Sequence, residues 1–63
     1  MKVTREMERI IDVIEDNGFF RLYNNSLDIT HRAISKMIDN GMIKQKKGVI
    51  NNKYVDFFKN WID

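Results

Sequence analysis

The chain contains no cysteine, so neither a disulfide nor a thiolate-bound zinc ion can stabilise its fold. Its 63 residues must therefore build a core from apolar side chains alone, and at that size most of the surface stays in contact with water. Hydrophobic residues make up 43% of the chain and charged residues 32%, which is typical of a globular domain and not of a disordered tail. The sequence predicts a single folded domain over residues 1–63.

An amphipathic helix is predicted near the beginning of the chain. Four apolar residues recur there at the three- and four-residue steps of one buried helical face: Met7, Ile10, Ile11 and Ile14. Thr4 stands at the N-cap position, where its hydroxyl can accept a backbone N–H, and Asn17-Gly18 supplies a left-handed stop. We expect a helix over residues 4–17.

The following ten residues give a weaker pattern. Residues 19–22 fit either a short extended segment or the start of a second helix, and the sequence leaves both interpretations open. Residues 23–28 are rich in asparagine, which weakens any regular assignment, although Leu22 and Leu27 could bury one side of a short helix. We expect that short helix to brace the longer one that comes next.

A second strong helix is predicted over residues 30–40. Thr30 can cap it, Asn40-Gly41 can end it, and its apolar face is expected at Ala33, Ile34, Met37 and Ile38. The other side mixes groups that read base edges with groups that bind phosphate, as DNA recognition requires. The candidate DNA contacts of this helix are Thr30, His31, Arg32, Ser35 and Lys36.

A basic β-hairpin is predicted over residues 43–52. Two short apolar runs, residues 42–45 and 49–50, flank Lys46-Lys47-Gly48, whose glycine suits a hairpin turn. The candidate phosphate contacts of this region are Lys44, Lys46, Lys47 and Lys53. Further bulky apolar residues recur at three- and four-residue steps and predict a terminal amphipathic helix that closes the core: Tyr54, Val55, Phe57, Phe58, Trp61 and Ile62.

Positive charge is concentrated in the second half of the chain. Residues 1–20 carry three basic against five acidic side chains, a net −2, whereas residues 30–53 carry six basic side chains against Asp39 alone, a net +5. Such a one-sided field suits a polyanion, because each lysine or arginine near a phosphate releases condensed counterions. Lysine-rich turns are also common solubilising surface, so the charge alone leaves both interpretations open.

A helix end, a glycine stop and the start of an apolar strand are predicted in the segment Ala33-Ile34-Ser35-Lys36-Met37-Ile38-Asp39-Asn40-Gly41-Met42-Ile43. This segment resembles the excisionase and MerR-type DNA-binding family, in which a short recognition helix ends in glycine and precedes an apolar strand, a basic wing and a final helix. Lys46-Lys47-Gly48 falls where that family has its wing glycine and basic residues, and about half of the chain is covered. The predicted N-terminal helix fits the general winged-helix order of helix, strand, helix, helix and wing.

The resemblance implies a winged helix-turn-helix domain, mainly α with a small β-hairpin. It implies that helix 30–40 enters the major groove and that wing 43–52 lies on the DNA backbone or in the minor groove. It also makes a protein of phage or mobile-element type plausible.

Two functions remain open from the sequence. The first is a sequence-specific DNA-binding protein, either a small transcription regulator or an excisionase-like accessory factor, whose partner is double-stranded DNA. The second is a winged-helix protein-interaction module, for example a phage-type modulator of a host polymerase or nuclease. Six bulky apolar positions within residues 54–62 exceed one helical stripe, so a homodimer or partner contact is expected through Phe57, Phe58 and Trp61.

An enzyme is not expected. His31 is the only histidine of the sequence, and no serine or lysine sits beside a plausible base. No cofactor and no metal site is predicted. The chain has no run of 18 apolar residues and opens on charged side chains instead of an apolar signal core, so we expect no membrane contact and a cytoplasmic location.

Overall fold

Two helices and three strands form this α+β domain in the order α1 (Arg5–Asn17), β1 (Phe20–Tyr23), α2 (Asp28–Asp39), β2 (Ile43–Gln45) and β3 (Tyr54–Lys59). The computed structural model describes residues 2–46 and 53–61. The strands form one antiparallel sheet in which β3 lies between β1 and β2. The expected fold, mainly α with a small hairpin, is therefore corrected to two helices beside a three-stranded sheet.

The core lies between the two helices and one face of the sheet. Both helices and all three strands contribute to it. Its buried side chains are Met7, Ile10, Ile14, Phe20, Ala33, Ile34, Met37, Ile43 and Phe57. Because the strands alternate their side chains between two faces, every second residue of the sheet points away from this core. The sheet therefore has a core face and an outer face.

Helix α1 forms as the sequence predicts. The backbone N–H of Met7 donates to Oγ1 of Thr4 (3.2 Å), which caps the helix. At the other end Gly18 adopts the left-handed conformation with φ 87°, and its N–H donates to the carbonyl of Ile14 (2.7 Å). Ile11, the fourth expected apolar residue, is only partly buried.

Helix α2 begins two residues earlier than expected, at Asp28, and its N-cap is Leu27. Thr30 is therefore not the cap, because it lies within the first turn and is only 4% exposed. Its side chain faces α1, and its hydroxyl bonds the carboxylate of Glu6 there instead of capping α2. Ile38, expected on the apolar face, is 43% exposed and is not part of the core.

The end of α2 follows the prediction. The N–H of Gly41 donates to the carbonyl of Ile38 (2.9 Å), and the N–H of Met42 donates to the carbonyl of Met37 (2.9 Å). These two bonds, with Gly41 at φ 71°, are those of a Schellman motif. They turn the chain directly from α2 into β2.

The short bracing helix expected over residues 23–28 does not form. Tyr23 ends β1, and a tight turn follows in which the N–H of Ser26 donates to the carbonyl of Tyr23 (3.0 Å). The N–H of Tyr23 in turn donates to Oγ of Ser26 (3.1 Å). Short polar side chains offer the backbone such local bonds in competition with a helix. The extended interpretation of residues 19–22 is the correct one for most of that segment.

The terminal helix is also wrong, because residues 54–59 form β3, the central strand of the sheet. Val55 lies opposite Leu22 and Phe57 opposite Phe20 on the core face, whereas Asp56 lies opposite Arg21 on the outer face. Aromatic and β-branched side chains suit such a surface, and the strand satisfies its backbone by pairing on both sides.

The β run predicted at residues 42–45 forms β2 over Ile43–Gln45, but its partner differs from the expected one. It pairs with β3, from Ile43 opposite Lys59 to Gln45 opposite Phe57, and the N–H of Lys46 donates to the carbonyl of Asp56 (3.0 Å). The expected second run at residues 49–50 lies outside the described residues. The β2–β3 pair therefore forms the two sides of the hairpin.

A polar contact fixes the position of α2 against α1. The hydroxyl of Thr30 donates to Oε2 of Glu6 (2.5 Å), and Arg9 binds the same carboxylate through Nε and Nη2 at 2.8 and 2.7 Å. The side chain of Glu6 is only 13% exposed. The guanidinium of Arg9 and then the hydroxyl of Thr30 lower the pKa of Glu6 from 4.5 to about 2.

Removing the Thr30 hydroxyl tests this contact. We expect Thr30→Val, which keeps the shape of the side chain, to lower the free energy of unfolding by about 1–3 kcal/mol, because a charge-assisted hydrogen bond is lost. Urea denaturation measures the change. The control is Ser35→Ala, which removes an exposed hydroxyl from the same helix and should change stability by less than about 0.5 kcal/mol. Equal stabilities for Thr30→Val and the native chain would contradict the assignment.

The depressed pKa of Glu6 also predicts the pH dependence of stability. As the pH falls from 4.5 toward 2, the unfolded chain takes up a proton at Glu6 that the folded chain does not. The stability that this carboxylate contributes is therefore present above about pH 4.5 and declines as the pH falls toward 2. Urea denaturation at about pH 6 and about pH 3 should show a smaller loss for Glu6→Gln than for the native chain. The same loss in both proteins would refute the role of Glu6.

Candidate nucleic-acid interface

The solvent side of α2 carries most of the residues expected on it. Arg32, Ser35 and Lys36 are exposed, and His31 is partly buried. Thr30 is removed from this set, because it is buried and its hydroxyl is bonded to Glu6. Sequence spacing could not reveal this contact, because Glu6 lies 24 residues away from Thr30 in the chain.

The net charge of this helix side is close to zero. Asp28 in the first turn and Asp39 in the last are exposed too, and their two carboxylates balance Arg32 and Lys36. Asp28 is also favourable for α2 itself, because a carboxylate in the first turn interacts well with the helix dipole. The positive field noted in the sequence therefore arises mainly outside α2.

A groove of about 390 Å³ between the start of α1 and the exposed side of α2 brings further charge to this region. Arg5, Arg32 and Lys36 all line it. None of the ion pairs in the described ranges 2–46 and 53–61 engages these three side chains. The one carboxylate of the lining, Glu6, is already bound by Arg9 and Thr30. We name Arg5, His31, Arg32, Ser35 and Lys36 the helix surface.

Arg5 is the member of the helix surface that sequence reasoning missed. Arg5 belongs to residues 1–20, whose net charge is −2, so the charge distribution along the sequence does not indicate a positive site there. Only the packing of α1 against α2 places it beside Arg32. Three cationic groups around one groove can neutralise a phosphate of a nucleic acid backbone.

The lysines of the hairpin do not join the helix surface. Ile43 is buried on the core face, so Lys44 and Lys46 project from the outer face of the sheet, and both are exposed. Lys53 is exposed just before β3, and its carbonyl accepts from the N–H of Asn24 (3.0 Å). Lys47 lies outside the described residues. The predicted single site is thus divided between two surfaces.

The outer face of the sheet holds a cluster centred on Arg21. Its guanidinium binds Asp56 through Nε at 2.8 Å and Nη2 at 3.2 Å, and it lies 3.9 Å from the ring centroid of Tyr54 and 5.4 Å from that of Phe19. The bidentate contact lowers the pKa of Asp56 and raises that of Arg21. The carboxylate of Asp56 is therefore neutralised in place.

Aromatic rings continue on both sides of this pair. Tyr23 contacts Tyr54 edge-on at 5.9 Å, and Phe19 lies 6.4 Å from Phe58 between ring centroids. The ammonium of Lys46 is 5.7 Å from the ring of Phe58. The outer sheet face is defined as Phe19, Arg21, Tyr23, Lys44, Lys46, Tyr54, Asp56 and Phe58. Of its aromatic members, the sequence names only Phe58 as a surface contact. Phe19, Tyr23 and Tyr54 join it through the pairing of β1 with β3, which the predicted terminal helix does not contain.

The expected partner contact through the terminal aromatic residues is corrected in part. Phe57 is only 4% exposed and belongs to the core, so it is not a surface residue of this fold. Phe58 and Trp61 are partly buried, and Trp61 packs against the core with the ammonium of Lys59 at 5.4 Å from its ring. Phe58 lies on the outer sheet face, so any surface contact through its ring is made there.

Comparison of the chain with protein-family models, with curated proteins and with solved structures finds no match. Within the described part of the chain, no three His, Cys, Asp or Glu side chains are grouped so that they could hold a metal ion. Neither α1 nor α2 has the length and the apolar run that a membrane-spanning helix requires.

Proposed function

We propose that this protein binds double-stranded DNA as a winged helix-turn-helix domain, with the helix surface on the DNA. The β2–β3 hairpin holds the position of the wing, but its lysines lie on the outer sheet face and are not part of the proposed duplex contact. The observation that carries the proposal is the groove between α1 and α2, which Arg5, Arg32 and Lys36 line together. None of the ion pairs among the described residues engages these three side chains, and Arg5 adds a positive charge to the side of α2 on which Asp28 and Asp39 balance Arg32 and Lys36. Cationic side chains on the phosphate backbone supply most of the affinity of such domains.

The geometry of α2 supports insertion into the major groove. Its 12 residues rise about 18 Å, and the groove of B-DNA is about 12 Å wide, which admits one α-helix. Ser35 and His31 can bond base edges, and the side chain of Asp39 can accept from the amino group of cytosine. These residues alternate along the exposed side of α2 with Arg32 and Lys36, so base and phosphate contacts fall on one surface.

The order of the elements also supports a winged domain. A helix and a strand precede α2, and two paired strands follow it, as in the general winged-helix order with one helix fewer. The turn at residues 24–27 occupies the position of that helix. The transcription-regulator and excisionase-like roles both rest on this same binding mode.

Protein binding is a second candidate function, favoured by a groove of about 790 Å³ between α1, β1 and the turn. Leu27 and Ile29 line it and are 73% and 58% exposed, so two large apolar side chains face solvent at the same groove. Sedimentation of the native chain and of Leu27→Ser tests whether the groove joins two copies. Identical monomeric profiles would exclude self-association there.

DNA binding is tested by fluorescence anisotropy with a random-sequence duplex at about 50 and about 200 mM salt. Arg5→Ala and Arg32→Ala should each weaken binding at both salt concentrations and reduce the salt slope by about one unit, because each removes one phosphate contact. The matched control, Arg32→Lys, keeps the charge and should keep the slope. If the double variant Arg5→Ala with Arg32→Ala binds the duplex as tightly as the native chain at low salt, the proposal is wrong.

A further inference from the structure

The outer sheet face carries aromatic rings and cations that duplex binding by the helix surface does not use. The helices pack on the core face, so α1 and α2 leave the outer face uncovered. Its rings lie in two pairs, Tyr23 with Tyr54 and Phe19 with Phe58, on either side of Arg21. Phe58 and Tyr54 are four residues apart on β3, which separates the two pairs by about 13 Å along the strand.

The charge of this face is positive. Arg21 neutralises Asp56 through its bidentate contact, and Asp56 is the one carboxylate among the residues that define the face. The ammonium groups of Lys44 and Lys46 therefore give the face its net positive charge. Lys44 lies opposite Phe58 on β2, and Lys46 follows that strand with its ammonium near the Phe58 ring. The face is therefore complementary to a polyanion and not to a cationic or neutral surface.

We propose that the outer sheet face binds single-stranded nucleic acid, with bases against the two aromatic pairs and the backbone along Lys44 and Lys46. Aromatic side chains and arginine planes on an open sheet stack unpaired bases without regard to sequence, and nearby cations bind the phosphates between them. A duplex cannot use this platform, because its bases are already stacked and paired. The site is separate from the helix surface and does not depend on it.

The aromatic ring of Phe58 is the part of the platform that a variant can remove cleanly. Phe58→Leu keeps an apolar side chain at this position of β3 but has no ring on which a base can stack. Phe58→Tyr restores the ring. Comparison of these two variants separates stacking from packing, and urea denaturation confirms that both remain folded.

The test is fluorescence anisotropy with labelled thymidine and uridine oligomers of roughly 12 nucleotides, run beside a duplex at about 50 mM salt. Phe58→Leu should weaken single-strand binding about 5- to 150-fold, the equivalent of one stacked base, while Phe58→Tyr stays close to the native chain. Duplex affinity should not change in either variant. Arg32→Ala should weaken duplex binding and leave single-strand binding unchanged. The two proposals can therefore fail independently of each other.

Several outcomes would overturn the single-strand site. They are a native chain that binds neither oligomer, a Phe58→Leu variant that binds them as well as the native chain, and a loss that affects the duplex equally. Dimerisation that Phe58→Leu abolishes, without single-strand binding, would assign the face to a second copy instead. Tighter binding of the uridine oligomer than of the thymidine oligomer would support the proposal and favour RNA as the ligand.

Discussion

Strand β3 holds the sheet of this domain together, because β1 and β2 are each paired with it and not with each other. Its alternation sends Phe57 into the core and Asp56 and Phe58 to the outer face. Without this strand the backbone groups of both neighbours would lose their partners, and Phe20 would lose Phe57, the core residue that lies opposite it. One segment of six residues thus completes the core and builds the outer sheet face.

Two charged contacts within the fold determine which cationic side chains can bind a ligand. Arg9 and Thr30 bind Glu6 between the helices, and Arg21 binds Asp56 on the sheet. Each contact removes a carboxylate that would otherwise repel phosphate from its surface. The outer sheet face is therefore positive through Lys44 and Lys46, and Arg5 adds one positive charge to the otherwise balanced side of α2, although the net charge of the chain is only +2.

The two surfaces lie on different parts of the fold, and their chemistry differs accordingly. The helix surface offers side chains that can reach base edges from within a groove, together with cations around a small cleft. The outer sheet face offers flat rings and few groups that read an edge. A domain with both could contact duplex and single-stranded nucleic acid at separate places.

What the sequence alone determined depends on interactions between near neighbours. The Thr4 cap, the Gly18 and Gly41 stops and the apolar face of α1 are all made within a few residues, so spacing and residue type were sufficient to predict them. The exposure of Arg32, Ser35 and Lys36 followed from the same helical period. This much of the candidate site was therefore predictable.

The tertiary structure decided the conformation of residues 54–59, the partner of Thr30 and the grouping of the cations, because the residues that interact there are far apart in the chain. Aromatic residues at 54–59 fit a helical period about as well as a strand, and only pairing with β1 and β2 on either side selects the strand. Thr30 could cap its own helix or bind Glu6, and the packing of α1 against α2 selects Glu6. The same packing places Arg5 beside Arg32, while the pleat of β2 directs Lys44 and Lys46 to the opposite side of the sheet. Local spacing carries no information about these contacts, since each depends on which elements meet in three dimensions.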